Sequence, residues 1–317
     1  MRIKFENSGA EALENRRIDK TASYKYPQQD DERVRNGLIF PKITPSFKFK
    51  RDMTAFTIGS CFAREIEEKL TFLDVPTLGL TFPERIVKGR ENSVLNEFNP
   101  GSISQRIRWA IDGVDTREFD QSFSASGNVA TDLLLAKGHK LPVEDLLGIR
   151  ERIDEVYNKL PASDFLIITL GMTQCWVDHE TGHYLNRMPS PRDIKKEPNR
   201  YTCRFLTLSE TVDLLKDALE RALSSGVKGV LLTVSPVPLQ QTFLPIDCAI
   251  ANSHSKSTLR LAVTELLNMF PEQVNYFPSY EIVLSGGLHS FEQDHIHVKR
   301  EVVSEVTDYM ASHYLES

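Results

Sequence analysis

The chain reads as an α/β protein: a doubly wound, parallel sheet with helices on both faces. Three observations carry that expectation. A short apolar run, Met53 to Ile58, meets Gly59 and then a stretch of good helix formers from Ala63 to Leu70. Two further apolar runs, Asp164 to Leu170 and Gly229 to Val234, end in Gly171 and in Ser235-Pro236. Continuous apolar runs bounded by Gly or Pro suit strands buried on both faces. Helical patterns alternate with these runs, which is the order of a parallel sheet wound in both directions.

Residues 1–50 are polar, charged and broken by Pro27, Pro41 and Pro45, so they are expected to form an arm packing on a domain of residues 51–317. Gly59 lets the chain turn sharply without a Cβ penalty, and whatever follows it sits at the positive end of a helix. Val75 to Leu80 reads as a second short strand. A helical insertion over one end of the sheet is expected around 85–160. Within it, Ser102 to Ile111 has apolar residues at helical spacing, Asp112 to Ala130 is loop-like, and Leu141 to Leu160 is helical. An amphipathic helix from about Leu208 to Ser224 opens with the capping box Thr207-x-x-Glu210. A helix from Ser255 to Met269, a strand near Val274 to Phe277 and a last helix from Val298 to Tyr314 complete the order.

At 317 residues the chain can bury a sizeable core, and a net charge of −6 argues against nucleic acid or an anionic membrane as main partner. Four widely spaced cysteines make neither a disulfide framework nor a zinc-finger spacing, so reduced thiols in a cytoplasmic setting are expected. The N-terminus lacks an apolar core of signal-peptide length and no apolar run reaches 18 residues, so neither export nor a membrane span is expected. No Gly-rich nucleotide loop is present.

The chemistry concentrates at the strand ends, where ligands of such sheets sit. That rule puts Cys61, Met172 to Gln174, and Ser235 on one rim. Cys61 falls at a helix N-terminus, which favours a reactive thiolate; the alternative is a buried small residue at a tight turn. Asp294-His295-Ile296-His297 allows a carboxylate to orient an imidazole, which can then deprotonate a nucleophile. A rival motif, His179-Glu180-Thr181-Gly182-His183, matches the H-E-x-x-H of zinc proteases, which needs both histidines on one helix face. Thr181 and Gly182 are poor helix residues, so the segment reads as a hairpin turn. The His295/His297 pair is a second metal alternative, weighed against a triad histidine with a loop neighbour. Trp109 and Trp176 are expected to pack rather than to serve as substrate platforms, and Lys256, at a helix start, to be solvated rather than to meet an anionic ligand; Arg187 is a candidate for a substrate carboxylate or phosphate, and His289 and Ser290 for ordering the nearby loop.

Gly59-Ser60-Cys61-Phe62-Ala63 resembles the motif of the GSCFA family within the SGNH hydrolase superfamily. The segments Thr169 to Trp176, Thr233 to Val237, Asn252 to Ser257, Tyr276 to Glu281 and Asp294 to His297 are similar to further motifs of that family, from about residue 50 to 300. The resemblance implies a three-layer α/β/α, flavodoxin-like fold and acyl-ester chemistry. It implies Cys61 as nucleophile with Ser60 as the fallback, His297 as base and Asp294 as its partner. The oxyanion and substrate contacts would come from Gly59, Gly171, Thr173, Gln174 and Ser235, with Asn96 or Asn99 supplying an amide. Two departures stand out: no Asn where superfamily members carry one near Thr173, and Gln174 where the family segment has Glu. The expected activity is O-acyl, chiefly acetyl, transfer to or from a saccharide or other polyol ester. No cofactor is required, acetyl-CoA being an admissible acyl donor. The other classes kept open are an inactive carbohydrate-binding module and a zinc hydrolase at His179/His183.

Overall fold

The computed structural model describes residues 6–18, 25–79 and 91–316. Leu80 of the expected second strand, the start of the 85–160 stretch and parts of the N-terminal arm lie outside the described residues. The first fifty residues hold α1 (Gly9–Ile18) and a hairpin of β1 (Val34–Arg35) with β2 (Leu38–Ile39). β3 (Ala55–Gly59) runs into α2 (Cys61–Phe72). Next come α3 (Pro100–Asp112), the strands β4 (Phe123–Ser126) and β5 (Val129–Asp132), and α4 (Val143–Tyr157). β6 (Phe165–Leu170) is followed by β7 (Gln174–Asp178), β8 (Tyr184–Leu185), α5 (Pro191–Lys196) and β9 (Tyr201–Phe205). The order closes with α6 (Leu208–Ser224), β10 (Gly229–Val234), α7 (Cys248–Met269), β11 (Val274–Tyr276), α8 (Ser279–Ser285) and α9 (Arg300–Tyr314).

The structure is a mixed α/β arrangement centred on a parallel sheet of order β3-β6-β10-β11. Ile58 stands beside Ile168, Thr169 beside Thr233, and Leu232 beside Tyr276. Successive side chains of each strand alternate between two core clusters. Phe56, Ile58, Leu166, Ile168, Val230 and Leu232 meet α3, α4, α6 and α7; Ala55, Phe165, Ile167 and Leu231 meet α2, α8 and α9. Within the 85–160 stretch, α3 packs along α6 and sends Ile103 and Ile107 into the first cluster. Of the N-terminal residues, Leu38, Phe40, Ile43 and Phe49 join the second cluster, while the described side chains of α1 are exposed.

Among the described residues, the strand expected at 75–80 holds one parallel rung. The Ala55 N–H donates to the Pro76 carbonyl at 2.8 Å, and Leu78 N–H returns to the Ala55 carbonyl at 3.2 Å. Pro76 has no N–H with which to extend the ladder. The loop expected at 112–130 holds 3₁₀ turns and β4, which pairs antiparallel with β5. The helix expected from Ser255 begins earlier, at Cys248, where Asp247 caps it through the Ala249 N–H. The Thr207–Glu210 capping box is present in both directions. β7 pairs with β8 and β9 in a small antiparallel sheet, so His179 to His183 is a hairpin turn and not a helix. No described helix is long and apolar enough to cross a membrane.

Candidate active site

Beyond the carboxyl ends of β3, β6 and β10 lies a cleft of about 630 Å³, whose wall includes Ser60, Cys61, Asn96, Gly171, Ser235 and His297. Gly59 itself does not line the cleft, which corrects its expected substrate contact; its carbonyl accepts the Glu97 N–H, and the turn it makes places Ser60 and Cys61 on the wall. Gly59 has φ +131°, and a Cβ there would stand 2.1 Å from the Thr169 carbonyl oxygen. Only glycine allows the two strands to approach so closely. Ser60 then caps α2. Its N–H donates to the Thr169 carbonyl at 3.0 Å, and its hydroxyl accepts the Phe62 N–H at 3.4 Å and meets the Thr169 hydroxyl at 3.2 Å. The Ser60 hydroxyl is therefore buried in a structural cap, whereas Cys61, the first residue of α2, is half-buried on the cleft wall.

Lys256 departs from its expected solvated position. It lies within α7, 1 % exposed, and its ammonium donates to the carbonyls of Gly171, Ser235 and Val237 at 2.6 to 2.7 Å. Three acceptors use all three ammonium protons, so the residue ties the ends of β6 and β10 together while holding a positive charge. Burial pulls Lys256 down to about 7, and the charge of Cys61 pulls it back up. By reciprocity the ammonium favours the thiolate of Cys61. The sequence held one signal of this role: Lys256 falls on the same helical stripe as buried Leu259 and Val263.

Asn96 and Asn99 both line the cleft and differ in what they bond. The Asn99 side chain accepts the Ser102 N–H at 2.9 Å as the cap of α3. Asn96 is fully buried, lines the cleft, and neither atom of its amide has a hydrogen-bond partner. Buried polar atoms left so are uncommon and concentrate where a ligand is received. Its backbone is fixed by a bridge to Gly59, with the Glu97 N–H on the Gly59 carbonyl at 2.8 Å.

The Asp294–His297 loop is self-supporting. One Asp294 oxygen accepts the N–H groups of Ile296 and His297, and the other meets His297 Nδ1 at 2.5 Å. These bonds, the His297 side chain first, hold the Asp294 carboxyl well below its usual range. A carboxylate on Nδ1 makes that nitrogen the donor and leaves Nε2 as the basic atom. His297 lines the cleft with Cys61; Asp294 stands behind it.

The remaining expectations divide. Gln174 and Ser235 line the cleft. Gln174 orders one of its loops, donating to the Gln241 carbonyl at 3.1 Å and accepting from Thr242 and the Phe243 N–H. Thr173 does not reach the wall: it is buried, and its N–H donates to the Ser255 hydroxyl at 2.7 Å. That corrects its role as oxyanion donor. Trp109 packs in an apolar cluster as expected, whereas Trp176 lines the cleft, its ring centroid 5.4 Å from that of Phe243. His179 bonds the Thr202 hydroxyl and His183 the Ser122 hydroxyl, so the two imidazoles engage separate partners and the zinc reading has no ligand pair. No cluster of metal-ligating side chains occurs among the described residues, the His295/His297 pair included. His289 is exposed and Ser290 buried, its carbonyl accepting the Lys299 N–H at 3.0 Å.

The model of the GSCFA family matches residues 54–310, most of the chain. No curated protein matches.

Proposed function

The chain belongs to the GSCFA family, and we propose that its cleft handles acyl esters, moving an O-acyl (chiefly acetyl) group to or from a saccharide or other polyol. One observation carries this reading: Cys61, at a helix N-terminus, and His297, backed by Asp294, wall the same cleft beside the unpartnered amide of Asn96. The sheet order supports an SGNH-like, doubly wound three-layer fold, since the Thr77 rung lies on the outer side of β3 and α2 shares its face with α9. Ligands of such sheets bind at the strand carboxyl ends, where this cleft opens.

In the first step His297 Nε2 takes the Cys61 thiol proton, and the thiolate attacks the acyl carbonyl carbon. The Asn96 amide and the Cys61 backbone N–H stabilise the oxyanion, a contribution of about 2.7–4 kcal/mol per donor in such sites. The carbon–oxygen bond to the leaving alcohol breaks, His297 delivers a proton to that oxygen, and a thioester remains on Cys61. In the second step His297 Nε2 removes a proton from an acceptor hydroxyl or water, which attacks the thioester and releases Cys61 as thiolate. Acetyl-CoA is an admissible donor, its thioester exchanging with the thiolate directly. The cysteines, none of them in a disulfide, support a reducing, cytoplasmic setting.

Cys61→Ala tests this with a chromogenic acetyl ester and with acetyl-CoA plus saccharide acceptors. The expected result is turnover falling by about 10³-fold or more, and loss of an acyl adduct seen on Cys61 by mass spectrometry in the parent protein. Saturable glycan binding, with no turnover and no effect of the substitution, would instead identify a carbohydrate-binding module.

A further inference from the structure

Two buried or half-buried cations, Arg64 and Arg187, stand on the cleft wall, and a third, Lys256, is bonded to wall residues; they differ in what holds them. Arg64 pairs with Glu67 at 2.7 Å, and Lys256 gives all its protons to carbonyls. Arg187 has neither kind of support. It is half-buried on the wall, pairs with no carboxylate among the described residues, and reaches only the Gly138 carbonyl, from both Nη atoms, at 3.4 Å. Asp132, whose charge acts on it, is already bound by Arg150 at 2.6 and 2.8 Å. Burial pulls the Arg187 guanidinium below its ordinary value, against the charge of Asp132. In a chain of net charge −6, a guanidinium turned into a cleft with two weak contacts is an electrostatic anomaly. Lys137 stands exposed on the same wall and adds to the positive field there.

We propose that Arg187, with Lys137, forms an anion subsite of this cleft, which takes a phosphate or carboxylate group carried by the compound that binds beside Cys61. A planar guanidinium offers paired N–H donors that match either group. Trp176 and Phe243 on the same wall give the uncharged part of that compound an aromatic surface. The class of compound rests on the acyl-ester reading, but the subsite itself is a binding claim and is tested as one.

The test is calorimetric titration of the full chain carrying Cys61→Ala, so that binding is read without turnover. The probes are matched pairs: coenzyme A against pantetheine, glucose 6-phosphate against glucose, and galacturonate against galactose. In at least one pair the anion is expected to bind about tenfold or more tightly than its neutral partner, and to weaken with added salt. Adding Arg187→Gln erases that advantage and leaves the neutral partner unchanged, while Arg187→Lys restores part of it. Preference for coenzyme A assigns the charge to the acyl donor; preference for either charged sugar assigns it to the acceptor. Equal binding of charged and neutral partners, or anion binding unaffected by Arg187→Gln, overturns the proposal. Lys137→Gln, at an exposed position, is expected to weaken the anion severalfold and serves if the arginine variant fails to fold. Anion binding that depends on Arg187 in a protein whose parent turns over no ester keeps the subsite and removes the acyl reading. Ester turnover in the parent, with anion binding unaffected by Arg187→Gln, does the reverse.

Discussion

His183 keeps its imidazole between Phe119 and Trp109, ring centroids 4.5 and 5.2 Å away, with Nδ1 on the Ser122 hydroxyl. Burial in that setting pushes it from 6.5 down to about 4. The unfolded chain therefore binds a proton near 6.5 that the folded chain refuses until about 4, and stability falls as pH drops through this window. Between pH 6.5 and 5 the loss is about 1.5 kcal/mol, and urea denaturation at the two pH values should find it in the parent and not in His183→Gln. At this scale the sequence was informative where chemistry is local. Asp294 and His297 meet because only two loop residues separate them, and Cys61 opens α2 because it follows a glycine turn and a serine cap. Lys256 was misread for the opposite reason: its carbonyl partners lie 19 to 85 positions away, and nothing beside it in the chain announces them.

Among the elements, the turn from β3 into α2 bears the tightest constraint. Gly59→Ala would drive a Cβ to 2.1 Å from a backbone oxygen at a φ of +131°. The expected cost is at least about 2–3 kcal/mol by chemical denaturation, together with slower alkylation of Cys61 by iodoacetamide in whatever folds. A parent-like stability would mean the turn is not held as described. This element was legible because apolar run, glycine and helix formers are contiguous. The same holds for α6, whose capping box lies within four residues. β4 and β5 were not legible. Their alternation is weak, and what supports the segment is the buried bidentate pair of Arg150 with Asp132, whose guanidinium also reaches the carbonyls of Thr116 and Phe119. The second strand was legible in place, and Pro76, which lacks an N–H, keeps its described rung from extending on the N-terminal side.

Across the whole molecule, the end of the sheet opposite the cleft is closed by residues far apart in the chain. Phe49 is buried, its ring 4.0 Å from that of Phe165, and its N–H donates to the Tyr314 carbonyl at 2.6 Å. Phe49→Ala should cost about 3–5 kcal/mol in equilibrium unfolding, and a cost below about 1 kcal/mol would mean this segment does not belong to the core. The match of the family model begins after it, at residue 54, so its contribution is read from packing alone. By itself the sequence determined the order of the central-sheet strands and the longer helices between them, the glycine turn into α2 and the Asp–His pair, because backbone propensity, apolar period and turn chemistry act over a few residues. Only the tertiary structure decided how the polar groups around the cleft are partnered: Asn96 with an unpartnered amide while Asn99 caps α3, Lys256 tied across strand ends, and Arg187 with no carboxylate pair among the described residues. Burial and partnership are set by segments that meet in space from distant parts of the chain, and no local pattern encodes which of them will meet.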